Sequence, residues 1–175
     1  ILLSFYHRAL QNGGTNCLPD QSCFNTVMNA WAESLHPQRV QHVKALVQIM
    51  HEATTRGEST VPMLSPDAYT YSLLIKALSR DATDRAKEEH ERRRALHECQ
   101  DLLRTMWGAY HSQQNVSMKP NHITYSTILY AYSQLPRPRL DDVLRAEALF
   151  HEMLDVSTGT SISERTQVNS SDRRG

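Results

Sequence analysis

The sequence predicts an all-α chain, a solenoid of stacked helix-turn-helix units, and three observations predict it. First, residues 19–31, 66–78 and 120–132 align without a gap. Each segment has Pro followed by Asp or Asn (Pro19-Asp20, Pro66-Asp67, Pro120-Asn121). An aromatic comes four residues later (Phe24, Tyr71, Tyr125), and then a small polar residue (Asn25, Ser72, Ser126). Second, large apolar residues follow each aromatic at helical spacing: Val27, Met28 and Trp31; Leu74, Ile75 and Leu78; Ile128, Leu129 and Tyr132. Third, a further apolar stripe with the same offsets follows each segment, as in Val43, Leu46, Val47 and Met50. A self-similar segment that is amphipathic buries its apolar face by stacking on copies of itself.

The elements follow in order. Residues 1–18 hold the apolar run Ile1-Leu2-Leu3-Ser4-Phe5-Tyr6 and then Gly13-Gly14. They read as the second helix and turn of a partial preceding unit. Because the chain opens in mid-helix on Ile1, a fragment of a longer protein is expected. Residues 19–65 form the first unit, 66–119 the second and 120–155 the third. In each, Pro marks chain that is not yet helical, and Asp20, Asp67 or Asn121 is a good helix N-cap. Ala30, Ala77 and Ala131 occupy matching places where a small residue lets another helix come close. The second helices are the Val43 stripe, then Cys99, Leu102, Leu103 and Met106, then Ala146, Leu149, Phe150 and Met153. Trp31, Leu78 and Tyr132 are expected to be buried between helices.

The units differ in length, so the extra residues belong in turns or helix extensions. Turns are expected at 54–65 and 107–119. The charged run 81–94 lacks Pro and Gly and reads mostly as an N-terminal extension of the second unit's second helix. Its Arg92-Arg93-Arg94 is expected to be a solvated helix face paired with Glu88, Glu89 and Glu91. Residues 156–175 are rich in Ser, Thr and Arg without apolar period, and are expected to be a disordered tail.

The aligned segments resemble the pentatricopeptide repeat family. The residues that carry the resemblance are Asp67-Ala68-Tyr69-Thr70-Tyr71-Ser72, Asn121-His122-Ile123-Thr124-Tyr125-Ser126 and, in the last helix, Arg145-Ala146-Glu147-Ala148-Leu149-Phe150-His151-Glu152-Met153. Cys23-Phe24 and the long insertions depart from the pattern. The tetratricopeptide repeat would place Trp, Leu-Gly and Tyr early in the first helix, and these are absent. The resemblance implies binding of single-stranded RNA, about one base per repeat. It implies base reading by Asn25 with Asp67, by Ser72 with Asn121, and by Ser126 with a partner that is not placed. The bases implied are uracil for the first pair, adenine for the second and a purine for Ser126, with RNA running 5′ to 3′ along the chain. Ser22, Tyr69 and Ile123 are the implied base-stacking positions, though Ser22 is a poor platform. A role in RNA processing, stability or translation in a mitochondrion or plastid is also implied.

The residues themselves leave a plainer reading open. Helix capping explains Asp20, Asp67 and Asn121 fully, and Asn25, Ser72 and Ser126 could be polar residues on a solvent face. On the RNA reading, Asn25→Thr is expected to change base preference and leave stability nearly unchanged. The second hypothesis is a protein–protein scaffold, in which other proteins are the partners.

Composition narrows the rest. The chain has 175 residues with 19 Lys plus Arg against 19 Asp plus Glu, so its formal net charge is zero. That argues against strong non-specific nucleic-acid binding, which phosphate neutralisation dominates. Three cysteines form no Cys-x-x-Cys pair, which supports neither a zinc ribbon nor a disulfide framework. Cys23 and Cys99 are expected to be packed thiols. Nine histidines include four His-Glu pairs, but none has the second His of a zinc-protease helix. No catalytic residue, metal ligand set, cofactor or small-molecule substrate is expected, and no zinc-deaminase signature is present. No apolar stretch approaches the ~20 residues that span a membrane.

Overall fold

The computed structural model describes residues 19–55, 64–112 and 115–158, and these are all-helical with no strand. Six α-helices follow one another: α1 (Gln21–Glu33), α2 (Arg39–Thr55), α3 (Ala68–Thr83), α4 (Glu89–Ser112), α5 (His122–Ser133) and α6 (Leu140–Thr158). A short 3-10 turn (Val116–Met118) precedes α5. The expectations for residues 1–18, for 56–63 of the turn at 54–65 and for the tail beyond 158 lie outside the described residues. Residues 156–158, expected to begin that disordered tail, are the last residues of α6.

Each odd-numbered helix starts where Pro and an Asx residue predict. Asp20 accepts from the Cys23 amide at 2.8 Å and Asp67 from the Thr70 amide at 2.9 Å. Asn121 accepts from the Ile123 and Thr124 amides at 3.0 and 3.1 Å. These side chains satisfy helix N–H groups that have no carbonyl partner.

The helices pack in two rows. α1 touches α3 and α3 touches α5, while each even-numbered helix touches the odd-numbered helix before it. α2 also touches α3, and α4 touches α5. Helix α3 therefore has neighbours on four sides, and its buried residues run all round it, from Tyr71 and Leu74 to Leu73 and Ala77. Met28, Val43, Met50, Ile75, Cys99 and Ile128 anchor the continuous apolar core. Ala77 and Ala131 are fully buried at helix contacts. Ala30 is exposed, because no described element packs on that side of α1.

Hydroxyl groups tie successive pairs together. Tyr71 bonds the His51 ring of α2 at 3.0 Å, and Tyr125 accepts from the Trp107 indole of α4 at 2.8 Å. Tyr125 also donates to Glu152 of α6 at 2.6 Å. Phe24 holds the matching place in α1 without a hydroxyl. At the opposite helix ends, Arg39 of α2 is nearly fully buried, with Nε 2.7 Å from Asp81 and Nη2 3.2 Å from Asp84. Lys87 completes this cluster by pairing with Asp81.

Several sequence expectations change here. The run 81–94 does not simply lengthen α4. Helix α3 continues through Thr83, and α4 begins at Glu89. Asp84 breaks the helix by accepting from the Ala86 amide at 3.0 Å, an Asx turn. In the Arg triplet, Arg93 pairs with Glu89 at 3.0 Å but also reaches Asp142 of α6 at 2.5 Å. Burial works to raise the Asp142 carboxyl pKa, yet Arg93 and the Arg139 amide hold it below the usual range. The expected turn at 107–119 is shorter, because α4 runs on to Ser112.

Leu78 and Tyr132 are buried as expected, but Trp31 is only partly so. Its indole stacks on the His42 ring, with centroids 3.9 Å apart and planes 15° apart. Trp31→Ala should therefore cost less than the roughly 3–5 kcal/mol of a fully enclosed aromatic. Cys23 is exposed, whereas Cys99 is buried and its thiol is pushed up to about 12, chiefly by burial.

Alkaline pH should destabilise this fold. Burial raises the phenols of Tyr71, Tyr125 and Tyr132, as it does the Cys99 thiol. Above about pH 9 for the thiol and about pH 10 for the phenols, the unfolded chain releases protons that the folded chain retains. Stability is then lost as pH rises. Urea midpoints should fall steadily from about pH 9 upward, and Tyr125→Phe should flatten the part above about pH 10. A midpoint independent of pH over that range would contradict the assignment.

Candidate nucleic-acid interface

The eight predicted site residues lie at the N-terminal ends of the three odd-numbered helices, in the capping position or the first turns. Four of them meet. Ser22 and Asn25 from α1, with Asp67 and Tyr69 from the start of α3, line an open depression of about 310 Å³. Gln21 and Thr26 complete its wall. The capping turn of α3 puts Asp67 beside Asn25, because α1 and α3 pack directly on each other.

The first pair is joined through a residue that neither motif nor spacing singled out. Thr70, fully buried, has its hydroxyl 3.0 Å from Asn25 Oδ1 and 3.0 Å from Asp67 Oδ1. One hydroxyl proton serves both acceptors. The same connection recurs one unit later. Ser72 Oγ lies 2.9 Å from Thr124 Oγ1, which lies 3.3 Å from Asn121 Oδ1. Ser72 Oγ also sits 2.7 Å from the Ala68 carbonyl, to which it donates. Its lone pairs then face Thr124. The signal available in the sequence was the Thr shared by Thr70-Tyr71 and Thr124-Tyr125, which Cys23-Phe24 lacks.

Burial separates the five residues expected to read bases. Asn25 is only 7% exposed, and its Oδ1 is engaged by Thr70, so its Nδ2 donors are what it can offer a ligand. Asp67 accepts with Oδ1 at the cap, and the residue lines the depression. Ser72 is half-buried, and its hydroxyl is already engaged. Asn121 is exposed, with Oδ1 turned into its helix. Ser126 is exposed and donates to its own helix, to the Ile123 carbonyl at 3.2 Å. The stacking positions differ in kind. Tyr69 is 56% exposed and Ile123 54%, both large and outward, while Ser22 is exposed but small.

A donor beside an acceptor is what the depression can supply. Uracil presents a carbonyl oxygen next to an N–H on its pairing edge. An amide Nδ2 and a carboxylate complement that pair, and Tyr69 offers a face for the ring. Among the described residues, no group of His, Cys, Asp and Glu is arranged to hold a metal ion. Among them, too, no helix is long and apolar enough to cross a membrane.

Asn25 and its bridge change the expected outcome of mutation. Asn25 is not a solvated side chain, so Asn25→Thr should cost about 0.5–1.5 kcal/mol, the worth of a buried hydrogen bond, instead of being neutral. Thr70→Val should cost about 1–3 kcal/mol, because it leaves the Asn25 carbonyl buried without a donor. Equilibrium unfolding in urea checks both. A Thr70→Val protein as stable as the parent would remove the bridge from the account.

No protein-family model matches the chain, and neither a curated protein nor a solved structure does. The chemistry of the site's own atoms therefore carries the functional reading.

Proposed function

We propose that this chain is an α-solenoid of pentatricopeptide-type hairpins that binds single-stranded RNA base by base along its odd-numbered helices. The observation that carries the reading is the depression at the α1–α3 junction. Residues chosen for base reading (Asn25, Asp67) and for stacking (Ser22, Tyr69) come together there from two units. The row order, with each helical pair touching the next, is what a stack of repeats requires. The two Thr-centred bridges support a shared face, since residues at matching positions meet at both junctions. On this reading Asn25 with Asp67 selects uracil and Ser72 with Asn121 selects adenine. An engaged Ser72 hydroxyl makes the second unit the weaker reader. Zero net charge implies that base contacts, more than phosphate attraction, set affinity. RNA processing, stability or translation in a mitochondrion or plastid is the setting proposed with it.

One observation favours a protein–protein scaffold as the second reading. Val143, Phe150 and Leu154 line one side of α6 at 52%, 45% and 41% exposure. Leu96, Leu103 and Trp107 occupy the matching places of α4, where they are buried or partly buried in the core.

Selection from a random single-stranded RNA pool at low salt tests the proposal. The parent should enrich a motif with uracil followed by adenine, and Asn25→Thr should change the uracil preference. Tyr69→Ala should weaken binding by about 1–3 kcal/mol, the worth of one base stack, with little change in thermal melting. No enrichment by a folded parent would favour the scaffold reading.

A further inference from the structure

A second polar stripe leads away from the depression. Asn25, Asn29 and Glu33 follow one another a helical turn apart on α1, as do Ser72, Lys76 and Arg80 on α3. Residues four apart share a helix face, with about 6 Å of rise per step. The two rows are laced together. Lys76 Nζ donates to Asn29 Oδ1 at 3.0 Å and forms an ion pair with the Glu33 carboxylate. Arg80 pairs with the same carboxylate and donates to the Glu33 carbonyl at 3.3 Å. Two cations thus close on one carboxylate, and all three side chains stay between 34% and 44% exposed. Hydrogen bonding by Lys76, then the charges of Lys76 and Arg80, keeps the Glu33 carboxyl below its ordinary range.

We infer that Glu33 stands in for a ligand phosphate and restrains RNA binding at the first unit. This rests on the RNA reading above. Asn25 lines the depression, and the stripe that carries Lys76 and Arg80 starts beside it and ends about 12 Å along the helices. On this proposal, the sugar–phosphate backbone of a strand with its base in the depression would cross that span. A phosphodiester bears one negative charge, as the Glu33 carboxylate does, so the two compete for the same pair of cations. The competition is open to RNA because partly exposed ion pairs are weak and screened by salt. Glu33 is covalently part of the face and already pairs with both cations, so a bound phosphate would have to share them with it or displace it. The carboxylate therefore lowers affinity and damps its salt dependence, which leaves base contacts to decide what binds.

Fluorescence anisotropy with a short labelled RNA carrying UA within a run of C tests this at several salt concentrations. Glu33→Gln should bind about fivefold tighter than the parent and show a steeper loss of affinity with salt, since more phosphate charge is neutralised. Asp101→Asn removes a carboxylate from an exposed pair with Arg104 on α4; it should leave binding unchanged. Adding Lys76→Gln and Arg80→Gln to Glu33→Gln should abolish the gain. A thermal melt of each variant accompanies the titration, and a lowered melt cannot account for tighter binding. If Glu33→Gln binds no tighter than a parent whose binding depends on Tyr69, the inference fails and the RNA reading stands. The inference also fails if Asp101→Asn gains as much, because net charge alone then explains the effect. No binding by any folded variant overturns the RNA reading and this inference together.

Discussion

A helix enclosed on four sides has little solvent to satisfy its polar atoms, and α3 is enclosed in that way. Its buried Thr70, Ser79 and Asp81 must each find a partner in a neighbouring helix. Thr70 finds Asn25 of α1, Ser79 faces the Cys99 thiol of α4 at 3.8 Å, and Asp81 takes Arg39 of α2. These bonds are specific where apolar packing is tolerant. They fix the register of α3 against three helices at once. Misplacing it would leave buried polar groups unpaired, at about 1–3 kcal/mol each.

The candidate interface is a by-product of that constraint. Thr70 satisfies itself on Asn25 and Asp67, and so holds a carboxamide and a carboxylate side by side at the lip of the α1–α3 junction. The geometry prearranges both groups and removes much of their rotamer freedom, which would favour a ligand that meets both, as a base does on the proposed reading. It also limits what the site can offer a ligand, because Asn25 Oδ1 and the Ser72 hydroxyl are spent on structure. Capping therefore does not exclude the proposed ligand contact at Asp67. One carboxylate oxygen caps α3, and the group still lines the depression.

Much of this was legible in the residues. Pro-Asp and Pro-Asn placed the starts of α1, α3 and α5, because a cap is a local device with a local signature. Apolar spacing identified both rows of helices for the same reason. What escaped was anything set by contact between units. Helical phase put Trp31 on the inner stripe, but not the absence of a described helix over its outer edge, where His42 stacks instead. Phase likewise placed Asn25 next to the stripe without revealing that Thr70 would bury it. The break at Asp84 was hidden because a charged run without Gly or Pro reads as helix, and an Asx turn needs only one side-chain bond.

On the proposed reading, Asn25 uses its Nδ2 donors on a base while Oδ1 stays on Thr70. Side-chain amide NMR of the ¹⁵N-labelled chain tests it most directly, during titration with a uracil-containing single-stranded RNA. The Asn25 Nδ2 resonances should shift progressively to a bound position, and Thr70→Val should alter them before any RNA is added. RNA binding that perturbs backbone amides elsewhere but leaves the Asn25 Nδ2 pair unmoved would contradict it.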